Sequence, residues 1–308
     1  AQARMQLMAG HNKWSKVKRI KGAIDAKRGK IFSKLAKEIA VAAKLGGPDP
    51  DSNVRLRSAI SAARTQNMPT DNVERAIKRG AGDTGEAALE EVTYEGYAVG
   101  GVALLIEAAT DNKNRTAADV RLVFSKHGGH LGGAGSVAYL FQRKGEVTVA
   151  EEGADPDRLL EGVLESGADE LTSESGHPHV VTTAPDRLAV VADALRAAAF
   201  GVISQKLVFV PGTTASVTDE RTAAQVLRLH EALDDNDDIL NVYSNFDAPA
   251  ELLERLAGQG LVGESLLEDR FDLLGRHLLV VDVTVVGVLR FDGDGVLAVL
   301  GKPPVDHT

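Results

Sequence analysis

The chain contains no cysteine, which excludes disulfides, thiolate metal sites and cysteine nucleophiles and fits a reducing compartment. It is poor in aromatics, at 4% of 308 residues, with Trp14 the single tryptophan. It lacks a long apolar run: the best candidate, around residues 278–289, is interrupted by Asp282, Thr284 and Gly287. The opening AQARMQLMAG has no apolar core of a secretory signal, so a cytoplasmic protein that spans no membrane is expected. Catalytic signatures are missing as well. There is no G-x-x-x-x-G-K-[ST] phosphate loop, no G-x-S-x-G elbow and no H-E-x-x-H, and the glycines at 128–135 follow a helical stretch instead of joining a strand to one. His127 and His130, like His177 and His179, sit in Gly or Pro turns without a spaced ligand cluster. The run DDNDD at 234–238 copies the first half of a calcium loop, yet Ile239 stands at the required glycine and Asn245 at the required glutamate. No catalytic residue, metal or cofactor is therefore expected.

What is present is charge, unevenly spread. With 44% hydrophobic and 26% charged residues, the chain can pack two or three domains. Its formal net charge of −9 conceals a division: residues 1–82 carry +12 and residues 83–308 carry −21. A lobe opposite in sign to its body suggests a polyanionic partner, and nucleic acid is the obvious one.

The charge peaks at residues 11–37, with ten Lys and Arg against Asp25 alone. Read as a helix over 27–44, this stretch sets Ile31, Phe32, Leu35, Ile39 and Ala42 on one side. Lys27, Lys30, Lys34, Lys37 and Lys44 fall on the other, and only Arg28 breaks the separation. Residues 11–21 read as a less regular arm carrying Lys13, Lys16, Lys18, Arg19 and Lys21, of the kind that orders on a phosphate backbone. Trp14 either stacks on an exposed base or anchors the arm. A second amphipathic helix presents Arg57 and Arg64. A third follows Pro69, with Asp71 and Glu74 in capping-box spacing, and ends after Lys78 and Arg79 at Gly80. Lys44 apart, these fifteen side chains form the candidate nucleic-acid surface. A merely solvated helix face is the bland alternative, although such faces mix signs and this one hardly does.

From residue 83 the pattern changes to α+β. Strands are expected at 90–97 and 102–108, then a helix from about Asn114 to Gly128-Gly129. VAYLF and EVTVA read as strands, followed by a helix from Pro156, strands near 168 and 179, a helix over 185–199 and a strand over 202–210, an order that suits a ferredoxin-like unit. A helix over 219–233 and a strand over 242–246 come next. In residues 248–308 a short helix, AELLERLAG, precedes two apolar strands joined by a hairpin turn at 292–295.

Several motifs also resemble the YebC/PmpR family. They are MAGHNKW (8–14), DAKRGKIFSKLAKEI, AAKLGGPDPDSNVRLRSAI, NMPTDNVERAIKRGAG, EVTYEGYAVGGVALLIEAATDNKNRTAADVR, FSKHGGHLGGAGSVAYLFQRKG and NVYSNFD (241–247). In order, they cover about residues 8–247. Asn12 stands where serine is usual, and Ala98-Val99 where Gly-Pro is usual. The resemblance implies a three-domain α+β architecture around a cleft: a basic helical domain over 8–82, a discontinuous central domain over 83–134 and 206–247, and an inserted α+β domain over 135–205. Residues 248–308 form a C-terminal extension outside it. Residues 1–7 precede the family's usual start, which makes Met8 the expected initiator. The resemblance also implies a non-enzymatic regulator of gene expression, acting as a DNA-binding transcriptional regulator or on ribosomal RNA as a ribosome-associated translation factor. Two alternatives compete: an enzyme using the cleft, with Asp111, Asn114 and Arg115 clustered, and an adaptor whose acidic body binds a basic protein. The oligomeric state is left open by the sequence.

Overall fold

The computed structural model describes residues 11–173 and 178–258, with three short strand segments at 281–282, 289–291 and 297–299. The expectations for residues 1–7, His177 and the turn at 292–295 lie outside the described residues. The chain divides into two compact units, one drawn from 1–142 and 211–266, the other from 143–210 and 267–308.

The first unit begins with three helices, α1 (His11–Gly46), α2 (Val54–Thr65) and α3 (Thr70–Ala81). Residues 11–21 belong to α1, which corrects their reading as an irregular arm. Proline first occurs at position 48, and nothing earlier compels the helix to stop. Asn53 caps α2 by accepting from the backbone N–H of Leu56 at 3.1 Å. Its amide nitrogen donates to the carbonyls of Ala42 and Gly47, both at 2.8 Å, tying the start of α2 to the end of α1. The expected capping box does not form at α3, because Pro69 occupies the cap and no side chain caps the helix. Asp71 instead lies in the first turn, where its charge suits the helix dipole.

Helix α1 buries two faces. Ile39, Ala42 and Ala43 pack with Leu56, Ile60, Ala63, Val73 and Ala76 of the other helices. Ala40 and Val41 pack against Leu89 and Ala109. Gly80 permits the close crossing of α1 and α3, since a Cβ there would lie 2.2 Å from the carbonyl oxygen of Ala40.

The same unit contains an antiparallel sheet. β1 (Glu90–Tyr97) pairs with β2 (Ala103–Thr110) from Glu90 opposite Thr110 to Tyr97 opposite Ala103. Helix α4 (Lys113–Lys126) and the short β3 (His130–Leu131) follow, and β3 pairs with the far end of β1. A buried carboxylate then fixes the glycine-rich connection. Glu95 accepts from the backbone N–H groups of Gly135, Val137 and Ala138 at 2.7, 2.7 and 2.8 Å. Residues 138–140 consequently form a 3₁₀ turn, and β4 (Phe141–Val149) starts only at Phe141, so VAYLF is not the separate strand expected.

In the second unit β4 is followed by α5 (Pro156–Ser166), β5 (Glu170–Thr172), β6 (His179–Thr183), α6 (Leu188–Ala197) and β7 (Val202–Pro211). Their order across the sheet, β5-β6-β4-β7, is ferredoxin-like, with Val147, Val181, Leu159, Val163 and Leu195 in its core. A further two-residue strand, Val281–Asp282, pairs with β5, and Leu289–Phe291 pairs antiparallel with Leu297–Val299. The chain re-enters the first unit where the N–H of Gly212 donates to the carbonyl of Leu140 at 2.8 Å. It continues through β8 (Ala215–Ser216), α7 (Glu220–Asp234), β9 (Ile239–Ser244), which completes the sheet beside β2, β10 (Phe246–Asp247) and α8 (Ala250–Gly258).

Candidate nucleic-acid interface

The lysine row of α1 meets the acidic run that imitated a calcium loop. Lys30 pairs with Asp235 at 2.8 Å, Lys34 with Asp234 at 2.5 Å and Lys37 with Asp238 at 2.6 Å. Lys37 Nζ also donates to the carbonyl of Asp237 at 2.7 Å. Lys44, further along the row, donates to the carbonyl of Leu89. Lys34 and Lys37 are half-buried, so this part of the row lies against the protein's own acids. The hydrogen bond from Lys30 to Asp235 holds its ammonium pKa above the ordinary lysine value, against the opposing effect of burial.

The other seven cations of 11–37, Lys13, Lys16, Lys18, Arg19, Lys21, Lys27 and Arg28, belong to the N-terminal half of α1, as does Trp14. The helix brings them onto one rod of five turns, about 27 Å long at 1.5 Å per residue. The described core contacts of α1 start further along, at Phe32.

Elsewhere in the lobe, Arg64 and Lys78 are exposed. Arg57 is exposed too, but its guanidinium donates to the carbonyls of Pro50 and Asp51 and braces the α1–α2 connection. Arg79 is half-buried and ion-paired with Glu86 at 3.0 Å. Arg75, which the sequence reading passed over, is exposed on α3, three residues before Lys78 and four before Arg79. That spacing was the signal that could have found it.

The TDNKNRT segment is tied into the same acidic loop. Asn112 caps α4 by accepting from the N–H of Arg115. Arg115 bridges Asp111 at 3.0 Å and Asp238 at 2.9 Å, and Thr116 Oγ1 donates to Asp238 at 2.7 Å. Burial raises the Asp238 pKa, but hydrogen bonds from Lys37, Arg115 and Thr116 outweigh it and hold the carboxyl far below the usual carboxylate range. Asp111 and Arg115 therefore pair with each other and with the fold. His130 stacks on Tyr97, His179 Nδ1 lies 2.9 Å from Ser173 Oγ, and His127 closes the C-terminus of α4. Among the described residues no group of three or more His, Asp or Glu could hold a metal ion, and no helix is long and apolar enough to cross a membrane.

Two family models match the chain, that of the TACO1/YebC protein N-terminal domain over residues 12–83 and that of the TACO1/YebC second and third domain over residues 89–246. A protein of Syntrophus aciditrophicus named probable transcriptional regulatory protein is 50% identical over 251 residues, covering 81% of this chain and all of its own. One of the same name from Akkermansia muciniphila is 51% identical over 250 residues, with the same coverage. The crystal structure of a conserved hypothetical protein from Aquifex aeolicus superposes with a TM-score of 0.70 at 46% identity, covering 75% of this chain and 94% of that one.

Proposed function

This chain belongs to the TACO1/YebC family, and we propose that it is a non-enzymatic, cytoplasmic regulator of gene expression that binds nucleic acid through the N-terminal half of α1 and the exposed cations of α2 and α3. The observation that carries this reading is the sorting of charge. The acids at 234–238 take up Lys30, Lys34 and Lys37, and the other seven cations of 11–37 all fall in the stretch 13–28 of the sequence, within the N-terminal half of α1. Phosphate contacts of this kind position a protein without reading sequence. The acidic remainder repels phosphate, which confines binding to the basic helices. That polarity suits a ribosomal RNA surface, where only the basic lobe should adhere.

A second reading, duplex DNA in transcriptional control, is favoured by the names of the relatives from Syntrophus and Akkermansia. Sedimentation of the full chain with ribosomes, with and without nuclease, run beside a duplex DNA titration, separates the two. Ribosome binding abolished by nuclease with weak DNA binding supports the RNA reading. Tight duplex binding without cosedimentation supports the DNA one. Binding to neither, or turnover of a small substrate, overturns both.

A further inference from the structure

Between α1 and α3 lies a groove of about 280 Å³, lined in part by Arg75 of the surface described above. Phe32 and Met68 give it an aromatic and thioether floor, Ser33 and Ala36 line the α1 side, and Asn72 and Arg75 line the α3 side. Arg79 and Glu86 also line it. The Nε of Arg79 is shielded from water and lies 3.0 Å from Glu86 Oε2, an ion pair without the alignment of a hydrogen bond. Glu86 itself is half exposed on the segment joining α3 to β1.

Resting on the phosphate-binding reading and deepening it, we propose that this groove takes one unstacked nucleotide of a single strand. Its base would lie on Phe32 and Met68 and its phosphate between Arg75 and Arg79, displacing Glu86. Three features select this ligand. The floor is apolar and includes an aromatic ring, which suits any base face. The rim offers the Asn72 amide, a donor and acceptor for a base edge, and the guanidinium groups of Arg75 and Arg79, whose planar forks match phosphate. The volume lies just below the range of about 300–1,000 Å³ typical of small-molecule pockets, which admits one planar ring with its sugar and excludes a base pair. The carboxylate of Glu86 beside Arg79 stands where an incoming anion would sit. A bound phosphate would exchange one partially exposed ion pair for another, at little net cost.

The test uses the full chain with a single-stranded RNA hexamer, a duplex of the same sequence and inorganic phosphate alone. Ser33→Trp fills the groove without altering charge, and it is expected to lower hexamer affinity at least tenfold more than duplex affinity. Arg75→Gln should weaken hexamer binding and reduce its salt slope by about 0.7, one phosphate contact on a single strand. A hexamer containing 4-thiouridine should photocrosslink to Phe32 or Met68 of the unaltered chain, a readout that stands even if Ser33→Trp fails to fold. Equal hexamer affinity in the parent and Ser33→Trp chains, crosslinks confined to other regions, or a groove occupied by an apolar peptide and not by the hexamer would overturn the proposal. Duplex binding with an unaffected hexamer sinks the groove alone, whereas binding of neither nucleic acid sinks the phosphate reading with it.

Discussion

Lys37 Nζ donates to Asp238 Oδ1 at 2.6 Å across 201 positions of the chain, while the other oxygen of that carboxylate accepts from Thr116 and Arg115. One side chain thus fastens α1 and α4 to the head of β9. Replacing Asp238 with Asn should cost about 2–3 kcal/mol, the scale of a hydrogen-bonded charge removed from a covered site. Asp234→Asn, at a more exposed pair, should cost about 1 kcal/mol or less. Calorimetric unfolding compares the two, and equal losses would contradict the special place given to Asp238.

Acid should weaken the fold in two stages. Burial lowers the His230 pKa, despite the opposing pull of Asp234 and of its hydrogen bond to the Val242 carbonyl, and Lys34 lowers it further. The folded state therefore holds this ring neutral, and its contribution to stability declines as pH falls below the unfolded value of about 6.5. Asp238 is also depressed, so its contribution is complete above about pH 4 and drains away below it. Urea midpoints measured from pH 8 to pH 3 should show both stages, with His230→Gln abolishing the first and Asp238→Asn diminishing the second, which the depressed carboxyls of Glu95 and Asp219 share.

The cations of α1 should separate by position. Lys16, Lys18 and Lys21 changed together to Gln should reduce the slope of log K against log salt by about 2 to 3 for duplex DNA. Lys30 and Lys34 changed to Gln should leave the slope nearly intact and lower the unfolding midpoint instead. Fluorescence titrations at several salt concentrations decide the matter, and the opposite pattern would place the phosphate surface on the wrong half of the helix.

Gly80→Ala should cost about 1–3 kcal/mol, because the added carbon meets the Ala40 carbonyl and must push α3 off α1. Gly29→Ala is the control. A Cβ there has nothing within 4 Å, and alanine should stabilise the helix interior by up to about 1 kcal/mol. Paired thermal melts test the contrast.

Glu95→Gln should loosen residues 133–138 without unfolding the sheet, since the neutral amide cannot accept three N–H bonds as strongly as the carboxylate. Hydrogen exchange should quicken at Gly135, Val137 and Ala138. Unchanged protection would mean that the turn is held by something else.

Local signals were legible in the sequence wherever neighbouring residues produce them. Pro156 marked the start of α5, and Asp219 marked α7, which it caps through the N–H of Thr222. The apolar and basic sides of α1 followed from a 3.6-residue period. That period cannot say what stands opposite, and the partners of Lys30, Lys34 and Lys37 lie 200 or more positions away. VAYLF failed as a strand for a similar reason. The N–H groups of Val137 and Ala138 are captured by Glu95, about forty residues upstream, so the segment's own β-propensity was overruled.

The hydrogen bond between Gly212 and Leu140 bears on the cost of closing a loop. A flexible excursion between these two residues would charge the first unit an entropy that grows with the logarithm of its length. Here the excursion runs out along β4 and back along β7, neighbours in one sheet, so its ends are already held side by side. For the first unit, residues 143–210 act as a short rigid turn whatever their number. Lengthening or shortening the loops inside that excursion should therefore leave the stability of the first unit nearly unchanged.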